Sequence, residues 1–474
     1  LNKRDFPKVH FYDQDFVDIY DRTWTWIQDY WQQPNKELGL GKEKFFCNPA
    51  DTVISQWEST FASFFLVYSN RIFHAHSQLD VFYGKQEESG AIRSQYDLST
   101  GKAVVSRDNP EGVGMPLFAW AEYNLYHKTA NKKRVKEVLP VLIRHMAWLE
   151  STFKQKNGLY SVPLSASGMP NSPRDKAKYL VDFNSAAAIN ALYISALGDI
   201  MNDKEVSFQF KRAYFSLKTR INSLMWDPEA GCYFDLDADE KRLKVRTIAT
   251  FWPLLAELPN EDRGNALISL LTDPAHFGVE HPFPSLGASE KDYSPEGNGF
   301  RGSVLPPWTY MVIKGLEKYG RHELARECAI RHLYYVLDSL QPEGAKVATV
   351  WEAYKPQGEG PAHWPGRSGK PRSQVLAYAG LSTIALMIEN IVGLDISLPR
   401  KTVDWIIPSL EIMGIENLSL KRNMITILSN KLVRGWEIHM ESEKLYYFTI
   451  NIIGKKKKTL PIPSGKCSML IDKL

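Results

Sequence analysis

Twelve stretches of this chain carry apolar residues at helical spacing, and the connections between them come in two sizes. The helical segments are expected at 15–33, 57–70, 75–87, 116–127, 131–154, 184–200, 204–225, 247–257, 260–272, 307–319, 321–340 and 373–392. In RVKEVLPVLIRHMAWLESTF an apolar stripe alternates with charges, as in a helix with one face in water. SAAAINALYISALGDI is small and apolar nearly all round, which predicts a helix buried on every side. Short turns (KTANKK, MNDKE, LPNED, YGRHE) join these helices in pairs, while long segments at 88–115, 155–183, 226–246, 273–306 and 341–372 separate the pairs. Connections longer than about 12 to 15 residues are uncommon unless they carry function or are disordered. These are rich in Gly, Pro and aromatic residues, so they are expected to be folded. If helical hairpins close into a ring, every short turn falls at one end and every long loop at the other. The expected fold class is therefore an all-α (α/α)6 toroid with one elaborated face, where a site belongs.

After about residue 395 the pattern changes to period two, as in NMITILSNK, GWEIHMES and LYYFTINII, with Gly, Asn and Lys at the turns. This predicts a small C-terminal antiparallel β-domain, sandwich-like, over 396–474, following a barrel over 1–395. The run Lys455–Lys458 is read as a solvated hairpin tip that blunts a sheet edge. A net charge of +4 with 24% charged residues gives no sign of a nucleic-acid or membrane-surface partner. The four cysteines, Cys47, Cys232, Cys328 and Cys467, are scattered, with no metal-ligand spacing and no disulfide framework, and no cofactor is expected. No stretch approaches the roughly 18 to 20 apolar residues of a membrane span, so a soluble chain is expected. It begins at Leu1, which leaves export open.

The strongest chemical signal is TVWEAYKP, in which Glu352 lies between Trp351 and Tyr354 in the last long loop. A carboxylate among rings in a water-restricted cleft is a setting in which a general base can be tuned. SQWESTFASFF places Trp57 and Glu58 at the start of an inner helix. There the acid either grips sugar hydroxyls or balances the helix dipole. YGKQEESGAIRSQY offers Gln86 and Arg93, RGSVLPPW offers Arg301, and HPFPSL holds His281 in a proline-stiffened loop. His74 and His76, in FHAHSQ, have the spacing of two metal ligands but no third partner in the neighbouring sequence, so no metal site is expected.

Taken in order, WESTF, SGMPNSPR, RGSVLPP, VWEAYKP and GLSTIALMIENIVGL resemble the segments WD-x-x-F, SGMDNSPR, RGPVWPP, WENY-P and GL-x-PIALLIE of glycoside hydrolase family 63. The likeness is to its mannosylglycerate and glucosylglycerate hydrolases, with trehalases as distant relatives, and it spans roughly residues 15 to 395. It implies an (α/α)6 barrel and inverting hydrolysis of an α-glycosidic bond in a disaccharide or glycosyl conjugate, with carbohydrate as the partner. One carboxyl would protonate the leaving oxygen and a second, roughly 6.5 to 9.5 Å away, would activate water. Carried over by position, Glu352 takes the base role, while Trp57 and Arg174 rim the cavity. The acid falls on Pro170, which has no ionisable atom. Three readings follow: a donor relocated to a neighbour, with Asp175 and Asp182 nearest and Asp182 preferred; a different substrate on this loop; or a catalytically silent sugar-binding protein. Glu58 in place of Asp, and Ala166 where an acid is frequent, suggest a reshaped pocket. An epimerase or lyase on the same toroid would need a His-rich or Tyr-centred core and is disfavoured.

Overall fold

The computed structural model describes residues 5–48, 50–69, 71–406, 412–420, 423–433, 435–442, 448–452, 458–462 and 464–471. Its α-helices are α1 (Gln14–Ile27), α2 (Gln56–Leu66), α3 (Ser77–Tyr83), α4 (Phe118–Thr129), α5 (Lys132–Phe153), α6 (Val181–Ile200), α7 (Lys204–Leu224), α8 (Trp252–Leu255), α9 (Glu261–Thr272), α10 (Pro306–Lys318), α11 (His322–Asp338) and α12 (Leu376–Gly380). The last continues without a break into wider π-helical turns as far as Val392.

Sequence dictates which helices lie inside. Almost every residue of α6 is buried, down to Asn184, Ser185 and Asn190. Its partner α7 buries Ser207, Phe210, Tyr214, Leu217 and Ile221, one stripe at spacings of three and four. The same contrast separates α10, buried along most of its length, from α11, buried on one side. Each short turn contains one residue in left-handed backbone: Ala130, Asn202, Glu257 and Gly320. That conformation reverses the chain within a few residues, and Asn131, Asp203 and Asn260 then cap the first turns of α5, α7 and α9.

The long connections hydrogen-bond to one another. Asn171 donates from Nδ2 to the Asn298 carbonyl at 2.9 Å and accepts the Phe300 amide at 2.7 Å. The Ile248 amide reaches the Ser285 carbonyl, His363 reaches Glu296, and Val304 pairs with Tyr354. Leu376, opening α12, donates its amide to Asn48 Oδ1 at 3.0 Å. Residues far apart in sequence thus form one meshed layer over the starts of α2, α10 and α12.

The strands beyond Val392 build two sheets, one of which also takes in a strand from before α1. One has five strands in the order Lys8–His10, Met413–Leu420, Asn423–Leu432, Gly435–Ser442, Gly465–Ile471. The other has four, in the order Lys458–Ile462, Phe448–Ile452, Thr402–Trp405, Leu394–Ser397. One expectation is corrected. Phe448–Ile452 runs parallel to Thr402–Trp405, so the β-region is mixed rather than wholly antiparallel. The strand Lys8–His10 pairs with Met413–Leu420, so the five-stranded sheet takes one of its strands from before α1. Three residues are too short for a period-two signal; of them Val9 is buried, and His10 Nε2 lies 3.2 Å from Glu416 Oε1 of the neighbouring strand. Lys455, Lys456 and Lys457 of the lysine run lie outside the described residues. The sheets are tied to the helices where Lys128 Nζ donates to the Ile396 carbonyl at 2.8 Å and Trp405 Nε1 to the Val392 carbonyl at 2.9 Å. Among the described residues no helix is long and apolar enough to cross a membrane.

Candidate functional site

Ser55 Oγ caps α2 by accepting the Glu58 amide, which fixes Trp57 and Glu58 in the first turn. Asn48 holds Glu58 from one side, its Nδ2 lying 3.1 Å from both Glu58 Oε2 and Asp51 Oδ2. From the other side comes Arg372, whose Nη2 bonds Glu58 Oε1 and whose Nη1 lies 3.3 Å from Asp51 Oδ1. The same residue grips Glu352. Its backbone amide donates to Oε2 at 3.0 Å, and its Nε lies 3.2 Å from Oε1 as an ion-pair contact without hydrogen-bond alignment. Arg367 Nη1 is a second donor to Glu352 Oε2, at 2.9 Å. Glu58 and Glu352 therefore share the Nε–Nη2 edge of one guanidinium.

The electrostatics follow from that crowding. Burial is the largest influence on Glu58 and, with Asp51 and Glu352 nearby, lifts its carboxyl to about 7 against the pull of Arg372. The Arg372 guanidinium, among these carboxylates, is held more firmly cationic than usual despite its burial. Glu352 is only 6% exposed.

Aromatic rings form the adjoining wall. Trp57 lies 4.7 Å from Trp308 between centroids and donates Nε1 to the Tyr378 hydroxyl at 3.0 Å. Phe300 bridges Trp308 and Trp364, at 5.3 and 5.6 Å, and the Arg367 guanidinium lies over the Trp364 ring. The buried Trp308 Nε1 has no protein acceptor among the described residues. Gly168, in the SGMPNSPR loop, sits directly against the edge of Trp308. Pro170, two residues on, is exposed.

Several sequence-predicted site residues lie elsewhere. Asp182 is fully buried, and both of its oxygens are taken by Arg174 at 2.7 and 2.9 Å. Arg174 is itself clamped on its other side by Asp235, at 2.7 and 3.0 Å, so it rims no cavity. This closed ion cluster corrects the expectation of Asp182 as a relocated acid. A carboxylate bidentate to a buried guanidinium, with no solvent access, has no path to a leaving group. Gln86 spends its amide on the Gly90 and Val141 carbonyls and on Arg144, serving as a structural tie. Its neighbour Arg93 is bound to Glu87 and Glu111. His281 is fully buried, its Nε2 2.7 Å from His332 Nδ1, with His332 passing on to Ser382. It faces this internal chain rather than a cleft. Tyr354 is buried too, its hydroxyl accepting the Trp351 amide, while Trp351 Nε1 donates to the Ser339 carbonyl. These two rings fix the backbone on either side of Glu352. Arg301 ties the Asn171 carbonyl to Asp292 at the loop surface. Sequence reasoning missed Asn48, Asp51, Arg367 and Arg372. The one available signal was position: Arg372 lies four residues before α12, where the start of another inner helix meets that of α2.

A helical domain whose long loops meet around paired carboxylates, followed by a small β-region, defines a fold shared with glycoside hydrolases. The same fold occurs in the GH63 mannosylglycerate hydrolase of Thermus thermophilus, crystallised in complex with glucose. That protein aligns with a TM-score of 0.63 at 17% identity, covering 78% of this chain and all of that one. The model of the mannosylglycerate hydrolase MGH1-like glycoside hydrolase domain matches residues 56–364, and that of the trehalase C-terminal domain matches 393–474. The chain belongs to the MGH1-like glycoside hydrolase family. A protein of Borreliella burgdorferi is 52% identical over the full length of both chains. The mannosylglycerate hydrolase of Rubrobacter radiotolerans is 21% identical over 238 residues, 48% of this chain and 45% of that one.

Proposed function

We propose that this chain is an inverting glycoside hydrolase that acts on an α-linked disaccharide or glycosyl conjugate in the mouth of an (α/α)6 ring, with Glu352 activating water. In this reading the domains meet near residue 395 and the sheets serve as a support. The observation that carries the proposal is a nearly dry Glu352 sharing one guanidinium with Glu58, next to which the half-buried Trp57 stands in the first turn of α2. Sugar rings stack on an indole through their C–H faces, and buried carboxylates bind their hydroxyls. Because one guanidinium holds both acids, they stand side by side rather than on opposite sides of a glycosidic bond. That suits a base and a hydroxyl anchor better than an acid–base pair. Glu58 is the anchor, and with a carboxyl balanced near 7 it can donate to or accept from a hydroxyl.

No acid stands at Pro170, and general-acid help is worth about 10²- to 10⁴-fold. The substrates that turn over fastest are therefore those whose leaving group needs little protonation. Aryl α-glycosides test this directly: wild type should release the phenol and Glu352→Gln should not. A second reading, sugar binding without cleavage, is favoured by Pro170 and by the two hydrogen bonds and the ion-pair contact that already engage Glu352. Saturable sugar binding with no aryl-glycoside turnover would establish that reading in place of the first.

A further inference from the structure

The sequence left His74 and His76 without a third partner, and the fold supplies one. In the segment Phe73–His76 the odd residues point inward: Phe73 is buried flat against Trp31, with centroids 4.7 Å apart, and Ala75 is fully buried. His74 and His76 accordingly emerge on the same side, their rings 5.3 Å apart and nearly parallel. Their backbone is held by hydrogen bonds from the Ser77 hydroxyl to the His74 carbonyl and from Gln78 Nε2 to the Ala75 carbonyl. Opposite them stands Glu43, two residues before the buried strand Phe45–Phe46, which pairs with Trp31–Gln32. Its Oε2 lies 2.7 Å from His74 Nδ1 and 3.9 Å from His76 Nε2. One ligand atom from each of the three residues falls within 4.8 Å of the others. The two backbones that carry them are locked together by the Phe73–Trp31 stack.

We propose that Glu43, His74 and His76 bind a divalent first-row transition ion, with zinc the best match, in an open three-ligand site that clips the 41–46 loop to the 71–76 loop. Two imidazoles and one carboxylate form a donor set suited to such ions and to a tetrahedral geometry with its fourth position left to water. The ion takes the place of the hydrogen between Glu43 and His74: a cationic ring releases that proton to solvent, and a neutral ring keeps its one N–H on Nε2, leaving the Nδ1 lone pair for the metal. With bonds of about 2.0 to 2.2 Å a tetrahedral ion sets its ligand atoms about 3.3 to 3.6 Å apart, so Glu43 and His74, now at 2.7 Å, move apart while His76, at 3.9 Å from Glu43, moves in. All three retain the solvent access that rearrangement requires, at 52, 49 and 27% exposure for Glu43, His74 and His76. The nearby cation, Arg134, is already neutralised by Glu122 and Asp80 at 2.7 and 3.0 Å and does not repel the ion as a free charge would.

The test uses the full chain, purified without a histidine tag, stripped with EDTA and titrated with zinc against a chromophoric chelator. One equivalent should bind, cobalt(II) should give the visible bands of a low-coordinate nitrogen–oxygen site, and zinc should raise the thermal midpoint. His74→Ala and His76→Ala should each weaken zinc by roughly tenfold or more, with Glu43→Gln weakening it as well. Uptake of no zinc by wild type at micromolar concentration overturns the proposal. So does unchanged uptake by the His74→Ala/His76→Ala double variant, which would put the metal elsewhere. The midpoint of each variant without metal reports its folding; His74→Gln and His76→Gln replace any alanine variant that unfolds.

Discussion

Glu58 makes the stability of this chain depend on pH in a direction that can be worked out in advance. In the fold its carboxyl is lifted from 4.5 to about 7, chiefly by burial, with Asp51 and Glu352 adding to the rise and Arg372 opposing it. Each unit is worth about 1.4 kcal/mol, so the shift favours the protonated form of the folded chain by about 3 kcal/mol. The folded chain keeps a proton that the unfolded chain gives up between about pH 4.5 and 7. The stability linked to Glu58 is therefore complete below 4.5 and is lost as the pH climbs through 7. Glu58→Gln keeps the shape and an oxygen for Arg372 or Asn48 but cannot titrate. Urea unfolding followed by tryptophan fluorescence, at steps from pH 4.5 to 8, gives the comparison. Wild type should lose more stability than Glu58→Gln across that range, by an amount on the order of 3 kcal/mol, because groups titrating far from Glu58 cancel in the difference. Superimposable profiles for the two proteins would refute the argument, since they would mean that Arg372 compensates fully for the burial of Glu58.

Pro170→Asp returns a carboxyl to an exposed position beside the Gly168–Trp308 contact, and should raise turnover of glycosides with poor leaving groups by about 10²- to 10⁴-fold if Glu352 is a working base; steady-state rates on alkyl and aryl α-glycosides check it. Asp182→Ala strips two hydrogen bonds from the buried Arg174 and should cost about 3 to 5 kcal/mol in urea unfolding, while leaving sugar affinity intact under conditions where the variant stays folded.

The helical part of this molecule was legible because its signals are local. The stripe of α7 recurs every three or four residues, and the turn at Asn202 is announced by the polar run between two periodic segments. Glu352 was legible for a related reason, since the rings that frame it, Trp351 and Tyr354, are its sequence neighbours. What escaped is non-local. Arg372 meets Glu58 across 314 residues and Asp51 across 321, and in sequence it is one more basic residue in a loop. Asp182 read as a mouth residue because it opens a helix beside the right loop. Only the fold brings in Asp235, 61 positions from Arg174, to complete the cluster that immobilises it. His281 was misjudged in the same way: its stiff proline setting points it at His332, 51 residues away, rather than at a cavity.

The pairing of Lys8–His10 with Met413–Leu420 imposes an order on how this protein is made. Among the earliest described residues to leave the ribosome, these must stay unmatched while some four hundred more are added, about 20 to 80 s at ordinary rates of synthesis. Throughout that interval the helical hairpins can assemble from contacts close along the chain, whereas the edge of the five-stranded sheet stays open. Closing that edge joins the two ends of the described fold, so it serves as a seal set only after translation has passed residue 413.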